Sequence, residues 1–170
     1  MTKETGIVAS LTRLTKTASL ASDWRDLESR SSCSIFQSWT WVGTWLYQLP
    51  ASVELYLLKI VYGDRLIGLA IFGARTLMRH RFVRSRTLLL HETGSKEMDR
   101  MTIEYNSILA ETGSEREVVL AGVKCVRGTN ITWDELMVSG VEARAFETWQ
   151  ATIQGTDTRL IYARNRLVLL

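Results

Sequence analysis

Residues 54–74 read ELYLLKIVYGDRLIGLAIFGA. Two runs rich in leucine, isoleucine, valine and aromatic side chains flank Tyr62-Gly63-Asp64, and a Gly-Asp pair between two such runs is a strong hairpin signal. The spacing predicts strands over Glu54–Val61 and Arg65–Ala74. A third run, Phe82–Leu90, completes an antiparallel meander, so the fold is built on a sheet and the flanking segments decide what covers it.

Upstream, Ile7–Leu14 alternates weakly and reads as a first strand. Ala18–Glu28 then sets Leu20, Trp24 and Leu27 at helical spacing, with Thr15 or Thr17 available as a cap. Ser38 opens a second helix in which Trp41, Val42, Trp45, Leu46 and Leu49 follow one face until Pro50 ends it. Downstream, His91–Thr112 is polar and mixed, a long connection with a short ordered piece at Tyr105–Leu109. Ser114 with Glu117 has the form of a capping box for a helix through Val126, and Gly128 with Asn130 supplies its stop. A strand at Trp133–Val138, a helix at Val141–Ile153 and a last strand at Arg159–Leu170 follow. The expected order is β-α-α-β-β-β-α-β-α-β, an α/β (α+β) fold with a mixed, mostly antiparallel sheet flanked by helices. Without repeat or linker, residues 1–170 read as one domain.

Composition narrows the function classes. A hydrophobic fraction of 46%, six Trp and one Pro belong to a packed chain rather than a disordered one. A net charge of +3, from 21 basic and 18 acidic residues, demands no polyanionic partner. Arg75, Arg79, Arg81, Arg84 and Arg86 gather with His80 around the third hairpin, but without interleaved aromatics they read as a solvated turn, and nucleic acid is not the expected partner. Cys33 and Cys125 lack paired metal or redox spacing, and two histidines make no cluster, so no metal is expected. The first twenty residues hold neither a signal-peptide core nor a membrane span, so the expected setting is cytoplasmic and away from membranes.

The order of elements and three local stretches carry a resemblance. Phe36-Gln37-Ser38-Trp39-Thr40-Trp41 through Trp45, the turn Gly63-Asp64-Arg65-Leu66-Ile67-Gly68, and Glu104-Tyr105-Asn106 resemble the aromatic entry of helix 2, the β2–β3 turn and the acidic-Tyr-Asn segment of CelD/BcsL-like acetyltransferases. Trp133-Asp134-Glu135-Leu136 is similar to that family's fifth strand. The family has the GNAT acyl-CoA N-acyltransferase fold and is associated with cellulose biosynthesis. Its members join two GNAT-like units, with the acetyl-CoA signature in the second. The resemblance therefore implies an N-terminal GNAT-like unit of an acyltransferase (N- or O-acetyltransferase) acting in polysaccharide biosynthesis and not catalytic alone. Its partners would be a second GNAT-like unit and a carbohydrate acceptor. The alternative is a non-catalytic binding or scaffolding module. The family's acidic residue is typically Asp where this chain has Glu104.

An acyl-CoA site of this fold needs a glycine loop at a strand-to-helix turn, where backbone amides meet the pyrophosphate. Arg65-Leu66-Ile67-Gly68-Leu69-Ala70 has the letters of such a loop but falls inside a strand. Gly94 and Gly113 stand alone where the loop belongs. No cofactor is therefore expected in this chain, while acetyl-CoA or another acyl-CoA is expected for a full-length relative. The catalytic candidates are weak: His91 at a strand end, as general base or as a polar cap, with Glu104 and Tyr105. Phe36, Trp41, Tyr105 and Asn106 are the substrate-groove candidates, against a core role for the aromatic group Phe36, Trp39, Trp41 and Trp45. Finally, Leu167–Leu170 is an apolar run that is either a buried strand or a surface for a homodimer.

Overall fold

The computed structural model describes residues 6–15, 19–79, 82–99, 103–141, 143–153, 160–163 and 166–169. Strand β1 (Ile7–Arg13) precedes helices α1 (Leu20–Glu28) and α2 (Trp39–Gln48), which are separated by a 3-10 turn at Ile35–Gln37. The meander follows as β2 (Leu55–Tyr62), β3 (Arg65–Arg79) and β4 (Val83–Leu90). A two-residue strand β5 (Leu109–Ala110) leads into α3 (Glu115–Arg127). The chain then runs through β6 (Glu135–Ser139), α4 (Ala143–Ile153), β7 (Leu160–Ala163) and β8 (Arg166–Leu169).

The strands lie in the order β1-β2-β3-β4-β6-β8-β7, with β5 paired to β3. Every pairing is antiparallel except β4 with β6, which run parallel from Thr87 opposite Glu135 to Leu89 opposite Met137. This is the mixed, mostly antiparallel sheet expected from the GNAT resemblance, with three differences. The 3-10 turn and β5 are additional, and the expected last strand is a hairpin of two.

Strand alternation divides the core between the two faces of the sheet. Leu58, Ile60, Ala70, Phe72, Leu88 and Leu90 point one way and meet Val118, Val123 and Val126 of α3 and Trp149 of α4. Leu69 and Ile71 point the other way and meet Leu20, Trp24 and Leu27 of α1 and Val42 and Trp45 of α2.

Helix ends follow local chemistry with two departures. Ser38 caps α2 by accepting from the Trp41 amide at 3.3 Å, as its position implies. At α1 the N-cap is Ser19, without a side-chain bond, rather than Thr15, and Thr17 lies outside the described residues. At α3 the expected capping box is not formed, because the Ser114 side chain makes no cap bond.

The apolar C-terminal run takes the buried alternative. β8 is bonded on both sides, to β6 and to β7, and Leu169 is fully buried. β8 itself is therefore an interior strand, and the outer edge on this side of the sheet is its hairpin partner β7. Leu170 lies outside the described residues.

Candidate functional site

In open α/β sheets, ligands bind outside the carboxyl ends of the strands. The corresponding place here lies beyond the parallel pair, after Leu90 of β4 and Ser139 of β6. The chain itself occupies it. Asn106 is fully buried; its side-chain amide donates to the Leu90 carbonyl at 2.9 Å, and its backbone N–H donates to the Gly140 carbonyl at 3.0 Å. One residue thus ties the two strand ends together. Ile103 and Ile108 on either side are also buried.

Gly140 makes this approach possible. Its φ is 67°, and a Cβ there would run into the Ile103 carbonyl. Gly140→Ala should therefore cost about 2 kcal/mol, as overpacking and left-handed strain do. Urea unfolding is the check, and an unchanged midpoint would mean that the segment carrying Ile103 can move away freely.

His91 follows β4 directly, with φ of 53° and 5% exposure, so it is neither a solvent-facing strand cap nor an open base. Its Nδ1 lies 3.0 Å from Asn106 Oδ1. The Asn106 amide nitrogen is committed to Leu90, so that oxygen accepts and His91 Nδ1 carries the proton. Nε2 is then a bare acceptor, buried and without a partner among the described residues. Burial pushes the His91 pKa down to about 4, against the opposing pull of the Asn106 bond. The ring also packs edge-on against Trp24, with centroids 5.9 Å apart.

The cavity beside His91 measures about 20 Å³ and is lined by Trp41, Val42, Trp45, His91, Glu92, Asp99 and Ile103. That is room for about one water, far below the roughly 300–1,000 Å³ of small-molecule sites. Trp45, whose indole N–H also lacks a described partner, lines it too. Among the described residues His91 is therefore a buried, neutral histidine bonded to Asn106 at the start of the loop after β4.

The remaining candidates are distributed differently. Tyr105 is 51% exposed with φ of 54°, and its ring stacks on Phe36 at a centroid distance of 6.4 Å. Phe36 in turn meets Trp41 edge-on at 4.8 Å. Phe36, Trp41 and Tyr105 thus form one surface group, half-buried at its base. Glu104 beside it is exposed. Asn106 belongs to the interior, and its expected place in a groove is corrected: its amide is spent on Leu90 and His91. Trp45 is core, and Trp39 is half-buried against Trp24.

The strand-to-helix turn before α3 is acidic. Glu115 accepts from the Gly113 amide at 3.0 Å, and Glu117 stands in the same first turn. Glu111, just upstream, is held by Arg30 and Arg65, whose bonds keep its carboxyl below the usual range. Carboxylates satisfy the positive end of the helix dipole and repel an incoming phosphate. The Arg65–Ala70 stretch lies inside β3, bonded to β2 on one side and β5 on the other. Its Gly68 is explained by packing, since a Cβ would press on the Val118 methyl at 2.8 Å.

Two of the hairpin arginines are committed to carboxylates: Arg79 to Glu135 at 2.5 Å and Arg86 to Asp134 at 2.7 Å. His80 and Arg81 lie outside the described residues. Cys33 and Cys125 are half-buried thiols pushed up by burial. Among the described residues no group of three or more His, Cys, Asp and Glu is placed to hold a metal ion, and no helix is long and apolar enough to cross a membrane.

No family model matches the chain, and no curated protein matches it. Among solved structures the chain is similar to an N-acetyltransferase from Staphylococcus aureus Mu50. The identity is 12% and the TM-score 0.48, over 95% of this chain and 96% of that one.

Proposed function

We propose that this chain is a GNAT-like unit of an acyltransferase of the CelD/BcsL kind, one that presents an acceptor and does not itself hold acyl-CoA. The observation that supports this is the occupied crevice: Asn106 ties the carboxyl ends of β4 and β6 together where a ligand would enter. The acidic first turn of α3 adds an electrostatic reason, because a pyrophosphate there would face Glu115 and Glu117. Acyl-CoA would come from a second GNAT-like unit. Phe36, Trp41 and Tyr105 are the acceptor face, suited to stacking on the apolar face of a sugar ring. In this reading the polysaccharide acceptor meets its acyl donor at the second unit, and His91 is not the general base.

Calorimetry of the chain with acetyl-CoA should show no binding. A micromolar dissociation constant, about −8 kcal/mol, would sink the proposal. For the acceptor half, titration with cello-oligosaccharides should change tryptophan fluorescence, and Tyr105→Ala should abolish the change without altering the melt. A signal that survives in Tyr105→Ala would remove this residue from the acceptor face.

The second reading is a scaffolding module in which the GNAT-like fold serves only as a packing surface. The buried His91 favours it, because its ring is enclosed and its Nδ1 is bonded to Asn106 rather than open to an acceptor. Absence of any oligosaccharide response in the same titration would select this reading.

A further inference from the structure

Among the described residues the sheet ends on one side at β1, which is bonded there only to β2. Exposed edges are commonly guarded by lysine, proline, a bulge or short length. β1 carries none of these guards. Its residues pair with β2 in unbroken register from Ile7 to Arg13, it has no Pro, and its one charge, Arg13, sits at the far end. Ile7 and Val8 are 38% and 61% exposed.

Alongside this edge runs an open groove of about 440 Å³ between β1 and α3, with Ile7 and Ala9 on the strand side and Leu120, Ala121 and Cys125 on the helix side. Glu117 and Lys124 line the same groove, both exposed and two turns apart on one helix. Neither makes an ion pair with a described residue.

We infer that the occupant of this edge is a second copy of the chain, joined by a two-fold axis at β1. Such an axis sets the two β1 strands antiparallel and lets the sheet continue from one subunit into the other. It also sets the two α3 helices antiparallel. Inverting the helix places Glu117 of each subunit opposite Lys124 of the other, with Leu120 and Ala121, midway between them, nearest the axis. The charge pattern is therefore complementary to itself under the one symmetry that also pairs the strand edges. A partner of another sequence would have to reproduce that inverted pattern, whereas a second copy has it already.

The test is light scattering and sedimentation on the chain, with charge reversals at exposed helix positions that leave the fold intact by circular dichroism. The chain should dimerise, and Glu117→Lys or Lys124→Glu alone should weaken the dimer at least tenfold by setting like charges opposite each other. The double variant Glu117→Lys/Lys124→Glu should recover the original affinity. Mixing the two single variants should give a heterodimer stronger than either homodimer, because each then meets the opposite charge at both positions. A chain that stays monomeric across the accessible concentrations would overturn the inference. So would a dimer indifferent to both reversals, or one that the double variant fails to restore.

Discussion

Replacing Trp24 with alanine should cost about 3–5 kcal/mol of folding stability, the range for deleting a fully enclosed aromatic. Trp24 has no exposed surface and sits where α1, the 3-10 turn and the loop after β4 converge. Its ring packs against Trp39 at 6.1 Å and His91 at 5.9 Å, and its indole N–H donates to the Gln37 carbonyl at 2.8 Å. Truncation opens a void bounded by rigid neighbours and strips that buried carbonyl of its donor, two losses that add. Trp41→Ala should cost much less, because Trp41 is half-buried and its ring contact is with Phe36 at the surface. Urea titration with matched slopes separates the two. Equal losses for Trp24→Ala and Trp41→Ala would mean that the surface group is as much a part of the core as the tryptophan beneath it.

Stability should fall on mild acidification. His91 holds a pKa of about 4 in the folded chain, against about 6.5 when unfolded. Between those values the unfolded chain takes up a proton that the folded chain refuses. The stabilisation is therefore complete above about pH 6.5, declines as the pH falls through the window, and is fully lost below about 4, a change of about 3 kcal/mol. The Arg-bound carboxyls of Glu111 and Asp134 are shifted downward, Asp134 to about 2, so they keep their charge through most of that window. His91→Asn, with a side chain that accepts positive φ, should be less stable at neutral pH and should lack the slope. A variant that retained the whole slope would assign it to other groups.

The sheet was legible because its signals are local. The turn at Gly63-Asp64 is flanked by apolar runs, and the Ser38 cap needs only its own helix, so both read directly from short stretches. β3 extends past the expected Ala74: its last residues, Arg75–Arg79, are exposed or half-buried and carry no apolar run, yet they pair with β4. The site was less legible, for a different reason. Asn106 is a polar residue in a polar segment, and by type it belongs at a surface or in a turn. Its burial depends on the carbonyls of Leu90 and Gly140, which come near only after the sheet has formed. The one available hint was Gly140, a glycine directly after a strand, and it has no meaning until the Ile103 carbonyl is known to lie against it. At α3, the Ser114 and Glu117 spacing suggests a capping box, whereas Ser114 makes no cap bond and Glu115, the first residue of the helix, accepts from the Gly113 amide.

β3 passes from β4 to β5 within a few residues: Phe72 faces Leu90, the Ile71 carbonyl accepts from the His91 amide, and Leu69 faces Leu109. Seen from β3, the partner strand is almost uninterrupted: the chain leaves the ladder after His91 and rejoins it in line at Leu109. Loop length enters closure entropy only logarithmically, so such a detour can lengthen or shorten over evolutionary time at small cost to the sheet. What constrains it is Asn106 at its far end. Losing that side chain would release the end of β4 from the segment that also holds the end of β6, while the order of the strands stayed the same, so the closure of these two strand ends is a property of one residue and not of the sheet.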